Sequence, residues 1–127
     1  MIQTKGLCAA ALMTEIAMAD SGIDADERQV IESSIKHHFH LDSVEADGLL
    51  DAARQEVDHA TSLYEFTRVV NETLSREEKV TIIELLWKVA GADMVIDKYE
   101  EYYIRKIADL LYVSHGDYIK AKHKATA

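Results

Sequence analysis

Five times along this chain an Asp or Ser is followed three residues later by a Glu, and each time apolar residues at helical spacing come next. The pairs are Asp24 with Glu27, Asp42 with Glu45, Ser62 with Glu65, Ser75 with Glu78 and Asp97 with Glu100; Ser114 with Asp117 is a looser sixth. Each is a capping box, in which the first side chain accepts a free backbone N–H of the new helix and the acid reaches back to the cap. Ile31, Ile35 and Phe39 come after the first box, and Ala46, Leu50, Ala53 and Val57 after the second. Phe66, Val69, Val70 and Leu74 come after Ser62, and Tyr103, Ile107 and Leu110 after Asp97. Steps of three and four put each set on one face of an α-helix. After Ser75 there are two stripes, Val80, Ile83, Trp87, Ala90 and Ile82, Leu85, Val89, Ala92, which together predict a central, buried helix. With an opening helix over roughly residues 3–19, the chain reads as an all-α, compact bundle of about seven helices joined by short turns.

Composition agrees. There is no proline and there are only five glycines among 127 residues, too few for the frequent turns of an all-β fold. The length suits one domain over residues 1–127, with no linker or low-complexity segment. A net charge of −9 leaves no basic face for a nucleic acid or an anionic membrane, and favours cations or a basic protein surface as partners. The short basic tail, Lys120, Lys122 and Lys124, reads as cations near the end of a last helix. Cys8 is the only cysteine, which excludes an internal disulfide. Residues 1–19 faintly resemble a signal peptide. The run Leu7–Met13 is short, however, and Glu15 breaks the apolar character beyond it. Moreover, Ile16-Ala17-x-Ala19-Asp20 recurs as Val89-Ala90-x-Ala92-Asp93, so a domain helix is the expectation. No apolar stretch reaches the ~20 residues that span a bilayer.

That recurrence is part of a longer one. Ala-Asp-Ser-Gly-Ile-Asp-Ala-Asp-Glu (19–27) returns as Ala-Asp-Met-Val-Ile-Asp-Lys-Tyr-Glu (92–100), a constant 73 positions on. Helix, tight turn, helix thus occurs twice, over 17–39 and 90–112, which predicts a pseudo-twofold repeat of helical hairpins. Capping accounts for Asp24, Glu27, Asp97 and Glu100 without any ligand, and Ile23 and Ile96 sit where a hydrophobic staple is expected. Asp20 and Asp93 are not so explained. Each comes after a helix whose C-terminal dipole disfavours a carboxylate. Together the six acids form the candidate metal site, with a hard divalent cation such as Ca²⁺ or Mg²⁺ as the expected ligand. It is not an EF-hand. Counting from Asp20, positions 3, 6 and 12 are Gly22, Ala25 and Ile31, where that loop needs an acid, glycine and glutamate.

The chain resembles the tellurite-resistance TerB-like family. The resemblance is carried by Ala17-x-Ala19-Asp20-x-Gly22-Ile23-Asp24-x-x-Glu27, Tyr64-x-Phe66-Thr67-Arg68-Val69-Val70-Asn71 and Leu74-Ser75-x-Glu77-Glu78. It continues through Glu84-Leu85-Leu86-Trp87-Lys88-Val89-Ala90-x-Ala92-Asp93, Ile96-Asp97-x-x-Glu100 and Val113-Ser114-His115-x-Asp117-Tyr118-Ile119-x-Ala121-Lys122. The resemblance implies a helical bundle with internal duplication, a cytoplasmic location and a role in metal or stress response. The acids Asp20, Asp24, Glu27, Asp93, Asp97 and Glu100 match the family's acidic positions. Family members often carry Asp-Gly in both turns, whereas the second turn here reads Asp93-Met94-Val95.

Other constellations carry less. Lys36-His37-His38-Phe39-His40 falls at a helix C-terminus, where histidine suits the dipole, and neighbouring histidines point in different directions. Glu56-x-x-His59 is half of a di-iron motif with no second half. No nucleophile elbow or phosphate loop is present and Cys8 lies in an apolar helix, so no enzyme is expected. Tyr103 falls on the core stripe, while Tyr99 and Tyr102 are candidates for a partner-binding face. A protein-interaction module whose acids only cap is therefore the alternative to a cation-binding one.

Overall fold

The computed structural model describes residues 2–17, 25–58, 63–91 and 98–126. They form α1 (Ile2–Ala17), α2 (Ala25–Phe39), α3 (Ser43–Asp58), α4 (Leu63–Thr73), α5 (Arg76–Ala90), α6 (Lys98–Leu110) and α7 (His115–Thr126), with no strand among the described residues. The expected all-α bundle is what the chain builds.

Two capping boxes are fully made. Asp42 Oδ1 accepts from the Glu45 N–H at 2.8 Å, and Glu45 Oε1 accepts from the Asp42 N–H at 3.0 Å. Ser75 Oγ accepts from the Glu78 N–H at 3.2 Å, and Glu78 Oε1 accepts from the Ser75 N–H at 2.8 Å. The looser pair is half made. Ser114 Oγ accepts from the Asp117 N–H at 3.2 Å, but the Asp117 carboxylate turns to Arg76, 2.8 Å from Nη2 and 3.2 Å from Nε. That bond ties the start of α7 to the start of α5. The cap residues Asp24, Ser62 and Asp97 lie outside the described residues.

Two helices organise the core. One is α5, as its double stripe predicts: Ile82, Ile83, Leu85, Leu86, Trp87, Val89 and Ala90 are all buried. It packs chiefly on α7, and also on α1, α2 and α6. The other is α1, packed chiefly on α3 and touching α2, α4, α5 and α6. Every residue from Cys8 to Met13 is buried, so this stretch of α1 has no solvent face, the mark of a helix enclosed by others. Its buried Thr14 hydroxyl is satisfied locally, donating to the Ala10 carbonyl at 2.8 Å. Close packing also explains Gly6, where a Cβ would stand 3.0 Å from Leu49 Cδ2 and 3.7 Å from the Phe39 ring. Burial pushes the Cys8 thiol up, away from the reactive thiolate.

One stripe is displaced from its expected register. On α6 the buried side chains are Glu100, Ile104, Ile107 and Ala108, with Leu111 just beyond. Tyr103 and Leu110 are only partly buried. The Tyr103 ring lies edge-on to Tyr102 at 5.9 Å instead of filling the core. A tyrosine can rest its apolar body at a rim and keep its hydroxyl wet, whereas Ile104 and Leu111 have no polar tip to satisfy.

Both α2 and α6 end in left-handed residues that are not glycine, His40 (φ 55°) and Tyr112 (φ 59°). The Leu41 N–H donates to the Lys36 carbonyl at 3.1 Å. Val113 does the same to Ala108 at 2.9 Å, and Tyr112 to Asp109 at 3.1 Å. These are Schellman closures, a motif that ordinarily places glycine at the left-handed position.

The basic tail does more than face a helix dipole. Lys122 Nζ sits 5.0 Å from the centre of the Trp87 ring, and Lys124 Nζ lies 3.5 Å from Glu84. With Tyr118, whose ring centre is 5.6 Å from that of Trp87, these contacts hold α7 against α5.

Candidate functional site

The acidic site is built at the start of α2 and of α6, beyond the C-terminal ends of α1 and α5. Helix bounds keep the offset of the sequence repeat: α1 ends at Ala17 and α5 at Ala90, while α2 begins at Ala25 and α6 at Lys98. Of the six proposed metal ligands, Asp20, Asp24, Asp93 and Asp97 lie outside the described residues. The other two, Glu27 and Glu100, occupy matching places in the first turns of α2 and α6.

Both are buried, at 7% and 4% exposure. This separates them from the acids of the completed capping boxes, Glu45 and Glu78, which stand in solvent. A carboxylate is rarely buried unless it is engaged by other groups. Glu27 and Glu100 each make such interactions. Carboxylate oxygens are the donor chemistry a hard divalent cation takes, so these two residues fit one. Among the described residues no three His, Cys, Asp or Glu side chains converge into a metal-holding group. Only two of the six expected ligands are thus among the described residues, and no metal-holding group is seen there.

Tyr99 and Tyr102, the expected partner-binding residues, are 66% and 62% exposed on the outer side of α6. Tyr112, at the end of the same helix, is 84% exposed, and no spacing in the sequence marks it as a surface residue. The side chains of Glu56 and His59 lie outside the described residues. The histidine group acquires neighbours that the sequence does not announce. His37 and His38, ring centres 5.2 Å apart and edge-on, border a cleft whose far wall is α5, with Lys88 facing them. The density of histidines is the available signal. Lys88 lies 50 positions beyond His38 and gives none.

An all-helical bundle with matching buried glutamates at the start of α2 and of α6 thus defines the class. The chain belongs to the tellurite resistance protein TerB family, whose family model matches residues 7–123, nearly the whole chain. No curated protein and no solved structure matches it significantly. No helix among the described residues is long and apolar enough to cross a membrane.

Proposed function

We propose that the protein is a non-enzymatic, cytoplasmic TerB-family module that binds a divalent cation, Ca²⁺ or Mg²⁺, at its two acidic turns in a metal or envelope stress response. The observation that supports this reading is the burial of Glu27 and Glu100 at equivalent positions, which capping alone does not require. In this reading the two hairpins are copies related by a pseudo-twofold axis, and Asp20, Asp24, Asp93 and Asp97 complete the oxygen donors. A hard cation would supply charge neutralisation to a cluster whose carboxylates otherwise repel one another. The protein's own contribution is to hold Glu27 and Glu100 away from bulk water.

The test is calorimetric titration of metal-free protein with Ca²⁺, Mg²⁺, Mn²⁺ and Zn²⁺, with melting curves in parallel. Binding to the native state raises the melting temperature with cation concentration. Replacing Asp20 and Asp93 by Asn should abolish both heat and shift; unchanged affinity would sink the reading.

A second reading has its own observation, the exposure of Tyr99 and Tyr102 on one helix. Exposed tyrosines suit a protein interface, and the acidic chain would favour a basic partner. Loss of a captured partner in Tyr99→Ala and Tyr102→Ala, with cation binding intact, would favour this module over the first.

A further inference from the structure

Two of the clefts among the described residues differ in the charge they present. One, of about 440 Å³ between α6 and α7, presents Arg105 and Asp109 together with His115 and Tyr118, and so favours neither sign of charge. The other, of about 370 Å³ between α2 and α5, is different. The apolar Val30 lines it together with Gln29, Ser33, Ser34, His37, His38 and Lys88, and no carboxylate does among the described residues. In a chain carrying −9 overall, a cleft whose described lining holds a lysine and no acid stands out.

The charges around it explain how it stays positive. Two acids stand close by, Glu32 on α2 and Glu84 on α5, and each is engaged by a different lysine. Lys36 Nζ lies 3.5 Å from Glu32, and Lys124 Nζ lies 3.5 Å from Glu84. Lys88 is left with no ion-pair partner among the described residues. Ser34 is buried at 8% exposure, and neither its hydroxyl nor that of Ser33 makes a hydrogen bond among the described residues. The Ser34 hydroxyl is not among the enclosed polar atoms left without a partner, and with that of Ser33 it borders the cleft.

The geometry points to an anion site: the α2–α5 cleft holds a small phosphate-class oxyanion, free or as the end group of a small metabolite, with Lys88 as counter-charge and Ser33, Ser34, His37 and His38 as donors. The volume falls in the range of small-molecule pockets, which leaves space for an organic body behind the anion. An ammonium flanked by hydroxyls and imidazoles supplies the charge-assisted hydrogen bonds that phosphate oxygens accept.

Electrostatics gives the site a pH dependence. His38 is held below its ordinary value by burial first, then by the charges of His37 and Lys88 and by Lys124, with Glu84 opposing. Glu78 of α5 also borders His38 on its other side, its carboxylate accepting the Ser75 N–H at 2.8 Å. A bound dianion stabilises the protonated imidazole, so it raises the His38 value. By linkage the anion binds more tightly as pH falls through the histidine range. This site needs no metal.

The experiment is an NMR titration of the full chain, in chelator at constant ionic strength, with inorganic phosphate and separately with glycerol phosphate. Saturable shifts should appear at Ser33, Ser34 and the His37 and His38 imidazoles. Referred to the concentration of the phosphate dianion, binding should be about fivefold or more tighter at pH 6 than at pH 8. Lys88→Gln should weaken binding by a similar factor, Lys88→Arg should retain it, and Lys120→Gln, on the exposed side of α7, should leave it unchanged. Tighter binding of glycerol phosphate assigns a metabolite end group, and equal binding assigns the free anion. Shifts that stay linear to tens of millimolar, or that persist equally in Lys88→Gln, overturn the proposal.

Discussion

Helices α1 to α3 and α5 to α7 use the same order of parts to different ends. In each set the first helix packs most heavily on the third, α1 on α3 and α5 on α7. In each the second helix starts with a buried glutamate and ends in a left-handed residue that is not glycine. The first helices then diverge. Over Cys8 to Met13 α1 buries every side chain, alanines among them, whereas α5 keeps a solvent face with Glu77 and Lys88 and buries the bulky Trp87. Where the two sets agree is at the ends of the second helices. Where they differ is in how the first helix is enclosed, which shows that turn chemistry and core packing can drift separately in one bundle.

Four measurements would break or sharpen that contrast. The largest effects should come from the core. Trp87→Ala should lose about 3–5 kcal/mol and Leu12→Ala about 2–5 kcal/mol, read as a lower urea midpoint at unchanged slope. If Leu12→Ala were nearly neutral, α1 would not be the enclosed helix described. Next come the caps. Ser75→Ala removes half of a complete box and should cost about 1 kcal/mol. Ser114→Ala, at a half-made box, should cost less.

The left-handed ends come third. Glycine at Tyr112 should raise stability by about 0.5–1 kcal/mol, because a bulky residue there loses more than glycine's extra freedom in the unfolded chain. His40→Gly should gain less, since histidine is better tolerated at positive φ. Equal gains would mean that side-chain bulk is irrelevant at these ends. The smallest effect is the Asp117–Arg76 bond. The hydrogen bond from Arg76 holds the Asp117 carboxyl below the usual carboxylate range, with burial opposing. A depressed folded value means that the contribution is present at neutral pH, above the unfolded value of about 3.9, and is lost as pH falls through the folded one. Arg76→Ala should therefore flatten the fall in stability below about pH 4. An unchanged acid limb would show that the bond carries nothing.

What was legible in the sequence was local. The boxes at Asp42 and Ser75 are contacts across three residues, and spacing alone reveals them. The burial of α5 was visible because two stripes overlap. The enclosure of α1 was not, since a run such as Cys8 to Met13 has no period to read. The register of α6 slipped because tyrosine counts as apolar by type yet prefers a rim. Asp117 left its box for Arg76, 41 positions away, which no local pattern records. At the candidate site the acids themselves were plain, but the burial of Glu27 and Glu100 is a property of what packs over them. The cleft between α2 and α5 was half legible, through its histidines and not through Lys88.

The clasp of α7 on Trp87 has an optical consequence. The chain's single indole is fully buried, and its N–H has no hydrogen-bond partner among the described residues. Its emission should therefore be blue-shifted, and it reports one seam, α5 against α7, rather than the whole bundle. Helical signal in the far ultraviolet samples every helix, α1 included. Melts followed by the two probes would coincide only if the bundle comes apart as one cooperative unit. A fluorescence transition at lower temperature would mean that α7 peels off first, so that the protein carries its own sensor for the state of one half.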